Sequence, residues 1–352
     1  MSYKIVLTDC YADKDSIIQF WNANNNKKLD EKYAWFYESN PDGAAKVWLV
    51  KHEESNQTVG MGSLFPRRFQ FGNQIVNAAV HGDFFIHINH RSFGPALMLI
   101  RSIARSIADF DYEFIYGFPN LKAEPIVKYA GYTRLGQIRK YTRLFKVDRL
   151  LHEKLSIPSL VSKILGPISN QFLRLLYPDS WNYNFGRYHT KVSRRLDSDI
   201  DTLLDAYRHT CYTTFKSQEY LNWKYTDDPD EENFFFTIHD KYGQIAGCIV
   251  YSHSEQNTIA IREILHPPNH RKLYDLLALF FKYAAAQNTE YAYVEIYENS
   301  YILSQHNNLD LFNTSEGQSI YYLINPQLEQ KERLRKLINS PRLNLYKTDQ
   351  DT

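Results

Sequence analysis

Three stretches of this chain occur twice, in the same order. "WFYESNPD" (35–42) matches "WKYTDDPD" (223–230) with Trp, Tyr, Pro and Asp in register. "NHR" at 89–91 recurs at 269–271, and "YEFIYGFPN" (112–120) resembles "YAYVEIYEN" (291–299). The offsets are 188, 180 and 179 residues, a drift that loops of unequal length would produce. A chain that repeats itself at this scale folds as copies of one unit. Its 352 residues, 43% of them hydrophobic, suffice to fill two cores. The copies are expected over 1–147 and 192–325, with a helical linker at 148–191 and a tail at 326–352. Within the linker, "IPSLVSKILGPISNQFLRLLYP" (157–178) spaces its apolar residues as a helix does, between prolines. It reads as a connector packed on one domain rather than a membrane-surface helix.

Periodicity and turn residues outline the first copy as α/β. Residues 13–24 and 30–38 read as helix, ending at the turn "SNPDG" (39–43). Strands are expected over 46–53, 58–71 and 75–88, the second as one arm of a bent hairpin. A helix follows over 94–109, with Leu97, Ile100, Ala104 and Ile107 on one face and Arg101 and Arg105 off it. Then come a strand (113–119), a short helix (121–130) and a closing strand (138–147).

Several function classes fall away on composition. The 41 basic side chains nearly balance 40 acidic ones, which argues against a nucleic-acid partner or a strongly basic membrane surface. Cys10, Cys211 and Cys248 are odd in number and far apart, suggesting reduced thiols rather than a disulfide framework. The start "SYKIVLTDCYADKD" lacks the pattern of a signal peptide, and the longest apolar run, "LLALFF" (276–281), is too short to span a bilayer. A cytoplasmic protein without membrane insertion is expected. No Cys/His cluster has metal spacing, and His52, His87 and His90 show no ligand logic, so no metal is expected. Aromatics reach 15%, with 27 Tyr and 21 Phe; most serve cores, but tyrosine also walls sugar and base sites.

The corner "HGDFFIHINHRSFGPALMLIRSIARSI" (81–107) passes from a β-prone run into a periodic helix. A helix start presents unpaired backbone N–H groups and a positive dipole end, which suit phosphate. Arg91 adds charge, Gly94 permits close backbone approach, and Pro95 fits a first helical turn while removing one donor. Arg-x-x-Gly-x-Ala between strand and helix resembles the acyl-CoA pyrophosphate motif of the GNAT acyltransferase superfamily. "GYTRLG" (131–136) is similar to that family's glycine-aromatic approach to its last strands, and the likeness covers most of 46–147. It implies an α/β chain of two tandem GNAT-like domains, each a mixed, mostly antiparallel sheet flanked by helices, with acyl-CoA as co-substrate. Arg91, Ser92, Phe93, Gly94 and Ala96 would then hold the diphosphate. Phe85 and Ile86 would meet the pantetheine arm by backbone, or simply be core. The second copy's "NHRKLYDL" (269–276) places Tyr274 and Leu276 where Gly94 and Ala96 stand, so only the first copy is expected to bind CoA.

The resemblance also implies direct attack of an acceptor amine on the thioester. Asp83 and His81, two residues apart and on one face if the strand is regular, are the candidates for positioning or deprotonating the amine. Asp83 comes first, and a structural aspartate is the competing reading. Many family members carry a tyrosine acid four residues before the glycine-aromatic pair; here Val127 stands there, with Tyr129 about 200° around the helix. Asn120 reads either as a ligand of pantetheine or acceptor, or as a turn residue. Arg67 and Arg68 read as acceptor-phosphate ligands or as a solvated charged face. Tyr37 and Tyr225, with Trp35 and Trp223, read as helix–sheet anchors first and pocket walls second.

Among tandem relatives, the likeness points to sugar N-acyltransferases. Their acceptor would be a nucleotide-linked amino sugar of the dTDP-3-amino-3,6-dideoxyhexose type, for surface polysaccharide such as lipopolysaccharide O-antigen. A Fem-like aminoacyl transferase and a non-catalytic CoA-binding protein remain the alternatives. A fused pair could act as a monomer, the tandem supplying the interface that single-copy relatives obtain by dimerising.

Overall fold

The structure is a computed structural model, and it describes residues 2–25, 28–146, 187–209, 211–254, 257–305, 312–313 and 317–350. The connector expected over 157–178 lies outside them. The first half runs β1 (Tyr3–Thr8), α1 (Lys14–Asn24), α2 (Asp30–Tyr33) continuing as a π-helical turn (Ala34–Glu38), β2 (Lys46–His52), β3 (Thr58–Phe71) and β4 (Gln74–Ile86). It continues through α3 (Phe93–Arg105), β5 (Phe114–Gly117), α4 (Glu124–Tyr129) and β6 (Thr133–Leu144). The second half runs β7 (His189–Ser193), α5 (Asp201–Arg208), β8 (Thr213–Thr214), α6 (Gln218–Leu221) with its own π-helical turn (Asn222–Thr226), β9 (Asn233–His239) and β10 (Ile245–Ser254). Then follow β11 (Thr258–Leu265), α7 (His270–Ala286), β12 (Tyr291–Tyr297), α8 (Tyr301–Gln305), β13 (Phe312–Asn313) and β14 (Gln318–Ile324). Helix α9 (Lys331–Ile338) and an irregular segment to Gln350 close the described chain.

All these strands join one sheet, in the order β1-β2-β3-β4-β5-β14-β6-β12-β11-β10-β9-β7, with β13 on β6 and β8 on β3. Only β4–β5 and β11–β12 are parallel; the other ladders are antiparallel. The order at the centre shows an exchange between the halves. Strand β5 pairs with β14 of the second half, Tyr321 opposite Gly117, while β6 of the first half pairs with β12, Val294 opposite Tyr141. Strands β14 and β6 then pair with each other. Neither half closes its sheet without a strand from the other.

The repeated Trp-containing blocks meet across this junction. Trp35 donates its indole N–H to the Trp223 carbonyl at 2.7 Å, and Trp223 returns the bond to the Trp35 carbonyl at 3.0 Å. The rings lie 5.5 Å apart. Each residue sits in its half's π-helical turn, so equivalent positions pair with one another. The two tryptophans anchor half to half, where the sequence reading had each anchoring its own helix to its own sheet.

Helix α3 packs on the sheet through Ala96, Leu99, Ile100 and Ile103, with Ile107 just beyond it. Leu97 and Ala104, expected in that stripe, lie at its edge. The close approach requires Gly62: a Cβ there would sit 3.1 Å from Ile103 Cδ1 and 3.4 Å from Leu99 Cδ2. Each of these leucine and isoleucine side chains contributes about 1.5–3 kcal/mol by burial. That packing fixes the helix start relative to the end of β4, which is the geometry the site needs.

Candidate functional site

Parallel strands β4 and β5 pair from Ala78 opposite Phe114 to His81 opposite Gly117 and then separate. Beyond that point β4 pairs only with β3. The chain leaves β5 through Phe118, Pro119 and Asn120 towards α4. The splay holds a cleft of about 150 Å³, lined by His81, Gly82, Asp83, Phe118, Val127, Tyr132, Tyr321 and Gln350 among others.

Strand β4 is not regular here. Ser63 pairs with Gly82 but Met61 with Phe85, a bulge of one residue. Asp83 carries it, in the left-handed region at φ 47°, which Asp tolerates better than most residues. The extra residue reverses the alternation. Val80 and Phe85 face one core layer, Ala79, Phe84 and Ile86 the other. The same-face expectation for Asp83 and His81 therefore fails. Asp83 accepts a hydrogen bond from Tyr37 in the first layer, whereas His81 lies against Tyr132 in the second, Nδ1 3.5 Å from the hydroxyl.

Their chemistry differs accordingly. Burial raises the Asp83 carboxyl above the usual carboxylate range, opposed by the Tyr37 hydrogen bond and the charge of Lys32. Burial and the neighbouring Asp83 charge push the Tyr37 phenol well up, so it remains a donor. Tyr37 is fully buried and stacked on Tyr33 at 4.4 Å; it holds Asp83 rather than walling a pocket. Burial brings the His81 imidazole down to about 4, leaving it neutral at pH 7, and its Nε2 has no partner. Tyr321 contributes a second buried, unpartnered atom to the same cleft, its hydroxyl. Neither Tyr132 nor Tyr321 was named as a site residue from sequence, and Tyr321 arrives only through the strand exchange. Val127 lines the cleft as a buried aliphatic. Tyr129 is 68% exposed, edge-on to Phe93 at 5.2 Å. Asn120 spends its side-chain oxygen on the backbone N–H groups of Lys122 and Ala123, both at 3.0 Å, which is the turn reading.

The corner before α3 is open. Ile88–His90 makes a 3-10 turn, and Ser92 stands at the helix cap with no side-chain capping bond. Arg91, Ser92, Phe93 and Gly94 are exposed, and Ala96 is buried. Pro95 lacks an N–H, so Phe93, Gly94 and Ala96 supply the donors of the first turn. A Cβ on Gly94 would meet nothing within 4 Å, and its backbone is not in the left-handed region; the fold itself does not demand glycine there. Arg91 donates from Nε to the Ile86 carbonyl at 3.3 Å, with its guanidinium over the Phe85 ring at 5.4 Å. The charge is thus tied to the end of β4. Ile86 is buried, and Phe85 packs edge-on to Phe20 at 6.1 Å.

The second half is sealed at both equivalent places. At the start of α7, Asn269 caps the helix, its side chain accepting from the N–H groups of Arg271 and Lys272 at 3.0 and 3.3 Å. Aligning the two caps sets Arg271 and Leu273 in the places of Gly94 and Ala96; the registration that chose Tyr274 and Leu276 is off by three. The splay between β11 and β12 is filled by the chain's own end. Tyr346 bridges to Ile296, and its hydroxyl bonds both backbone groups of Ile264, while the Leu345 carbonyl accepts from Tyr297 N–H at 2.8 Å. Tyr225 and Glu263 repeat the Tyr37–Asp83 pair, with a 2.7 Å hydrogen bond. Glu263, however, is fully buried and pairs with Lys216 at 2.7 Å, and Asp349 pairs with Lys216 and Lys224 at 3.4 and 3.3 Å. What is a cleft in the first half is an ion-paired core in the second.

Between the halves lies a further cleft of about 180 Å³, with Tyr225, Arg67 and Gln350 in its wall. Arg67 and Arg68 do not form the solvated face or shared phosphate site that their adjacency suggests. Arg68 is bound to the buried Asp42, Nε to Oδ1 at 2.6 Å, over the ring of Phe215. Arg67 points inward and is only 2% exposed. Among the described residues no group of three or more His, Cys, Asp or Glu side chains could hold a metal, and no helix is long and apolar enough to cross a membrane.

No family model matches the chain, and no curated protein matches its sequence. Solved structures do share its fold. A probable N-acyltransferase from Enterococcus faecalis V583 aligns over 92% of this chain and 73% of its own, with TM-score 0.61 and 10% identity. A GCN5-related N-acetyltransferase from Anabaena variabilis aligns over the same shares, with TM-score 0.62 and 12% identity. Saccharomyces cerevisiae N-myristoyltransferase, solved with bound myristoyl-CoA, aligns over 92% and 83%, with TM-score 0.57 and 13% identity. The chain has the GNAT fold, a large, mostly antiparallel sheet flanked by helices, and the likeness covers 92% of its length.

Proposed function

We propose that this protein is an acyl-CoA-dependent N-acyltransferase whose coenzyme site lies in the first half alone, with an amino sugar, nucleotide-linked, as the acceptor. The observation that carries the reading is the asymmetry of two equivalent corners. One is uncapped and glycine-lined beside an open splay. The other is capped by Asn269 and plugged by Tyr346.

Bound acyl-CoA would supply a thioester whose carbonyl an amine can attack. The chain's own groups then divide the work. First-turn amides of α3 and Arg91 bind diphosphate, and the edge of β4 that no strand covers beyond His81 receives an extended chain as an added strand. Asp83, held by Tyr37, attracts the acceptor's ammonium group, and its raised affinity for a proton suits it to take one. Neutral His81 orients through Tyr132, and the Tyr132 and Tyr321 hydroxyls are the proton donors in the cleft, where Val127 replaces a tyrosine acid. The amino-sugar part rests on resemblance and on the aromatic and polar walls of the cleft between the halves. Acyl-CoA use and reduced cysteines, all three unpaired, fit a cytoplasmic setting, and the shared sheet fits a monomer.

Calorimetry with CoA and thiol release from acetyl-CoA, across a panel of nucleotide-linked amino sugars, test this directly. Saturable CoA binding and acceptor-dependent thiol release are expected. Absence of CoA binding would defeat the proposal, and tight CoA binding with silence across the panel would defeat its amino-sugar part.

A further inference from the structure

Arg67 is a buried, permanent charge that, among the described residues, touches no carboxylate; Asp42 and Asp349 favour its charge only from beyond ion-pair distance. Among the described residues its one hydrogen-bond acceptor is the neighbouring Pro66 carbonyl at 2.8 Å, and no carboxylate lies within ion-pair distance. Its Nε is buried with no partner. The guanidinium instead lies beside the stacked pair Phe36 and Trp223, 5.5 and 5.3 Å from ring centroids that are 6.0 Å apart. A buried unpaired charge is costly to maintain unless something pairs with it, and four of the five donors of the guanidinium fork are unused. Lys32 in the same cleft likewise lies over rings, those of Trp35 and Phe36, but three other nearby cations have carboxylate partners. Arg68 has Asp42, Lys224 has Asp349 and Arg262 has Glu231.

This charge lines the cleft between the halves. A second buried polar atom without a partner, Oδ1 of Asn233, belongs to another of its wall residues. Asp228 and Asp230 also line it; carboxylates suit hydroxyl groups and would repel an anion, so an anionic group belongs at Arg67 and a hydroxyl-bearing part beside them. Gln350 lines both this cleft and the one beside Asp83, so the two clefts adjoin across one side chain.

We propose that the cleft between the halves is an oxyanion subsite of the acceptor, in which Arg67 pairs with a phosphate or carboxylate while the amine lies beside Asp83. The proposal rests on the acyltransferase reading only for the word acceptor; oxyanion binding itself is measured without CoA. The test titrates the full chain with dTDP and with succinate by calorimetry, in wild type, Arg67→Met, Arg68→Met and Gly94→Leu. At least one probe is expected to bind wild type and Arg68→Met alike, and Gly94→Leu, which removes any diphosphate binding at the α3 corner, should keep the binding that depends on Arg67. Arg67→Met should weaken it by about tenfold or more, as loss of a bidentate charge-assisted pair does. dTDP binding alone identifies a phosphate site and succinate binding alone a carboxylate site. Arg67→Met should still melt cooperatively without probe and should lose the probe-induced rise in Tm. If Arg67→Met fails to fold, Arg67→Lys, which keeps the charge without the fork, must show the weakening. Binding that disappears in Gly94→Leu and persists in Arg67→Met would assign the anion to the α3 corner and overturn the proposal, as would failure of both probes to bind wild type.

Discussion

Gly94→Leu separates what the fold needs from what a ligand needs. At this position a Cβ meets no protein atom within 4 Å, and the backbone is helical. Replacing glycine by alanine inside a helix gains about 0.8–1.0 kcal/mol of intrinsic propensity, and leucine gains a little less, with a smaller gain still at a frayed first turn. The variant should therefore melt at or slightly above the wild-type temperature. Coenzyme binding should respond in the opposite direction. The new side chain would project from the helix start, where only Phe93, Gly94 and Ala96 can donate, and displace a diphosphate from their amides. Loss of one hydrogen bond to a charged group costs about 1.5–3 kcal/mol, or about 10- to 150-fold in Kd. Calorimetric titration with CoA, paired with a thermal melt of the same sample, reads both quantities. Unchanged CoA affinity in a folded variant would refute the placement of the diphosphate. A collapsed melt would refute the claim that the fold is indifferent to Gly94.

Other expectations follow from the same geometry. Asp83→Asn should lower kcat by about 100-fold or more, the range of lost proton transfer, and leave CoA affinity unchanged in a titration; retention of full kcat would remove Asp83 from the chemistry. His81 is held neutral, its imidazole lowered from 6.5 to about 4. In that window the unfolded chain binds more protons, so stability rises with pH and falls on acidification from about 6.5 towards 4. That contribution amounts to about 3 kcal/mol. Urea melts of wild type and His81→Gln at pH 7.5 and 4.5 should differ by that amount, and parallel curves would contradict it. Asp349→Asn leaves Lys216 and Lys224 facing one carboxylate fewer in a buried site, and should cost about 3–5 kcal/mol in a denaturant melt.

Much of the first half was legible in its residues. The periodicity around Ile100 and Ile107 placed α3, and Arg91–Gly94 placed an open helix start, because both are local consequences of spacing. The repeat announced equivalent elements but not that equivalent tryptophans would bond each other, since identity of two blocks says nothing about their contact. Strand exchange was hidden for the same reason. Strands β6 and β14 carry the pattern of half-buried strands whichever neighbour they take, so Tyr321 could not be assigned to the first-half cleft. The bulge at Asp83 had a signal in the Gly82-Asp83 pair, two residues tolerant of left-handed backbone, and reading it would have separated Asp83 from His81. Nothing local in "LNLYKTDQ" (343–350) marks it as the plug of a splay, because its role depends on the shape it enters. Arg67 and Arg68 looked alike because adjacent strand residues do; their opposite environments appear only once the sheet is built.

The most direct test is a crystal structure of the full chain soaked with CoA. One coenzyme per chain is expected, its diphosphate on the amides of Phe93, Gly94 and Ala96 and its arm along the uncovered edge of β4. The corner at Asn269 should remain capped and the Tyr346 plug in place. A diphosphate at the start of α7, or a coenzyme displacing the C-terminal segment from the second splay, would contradict it.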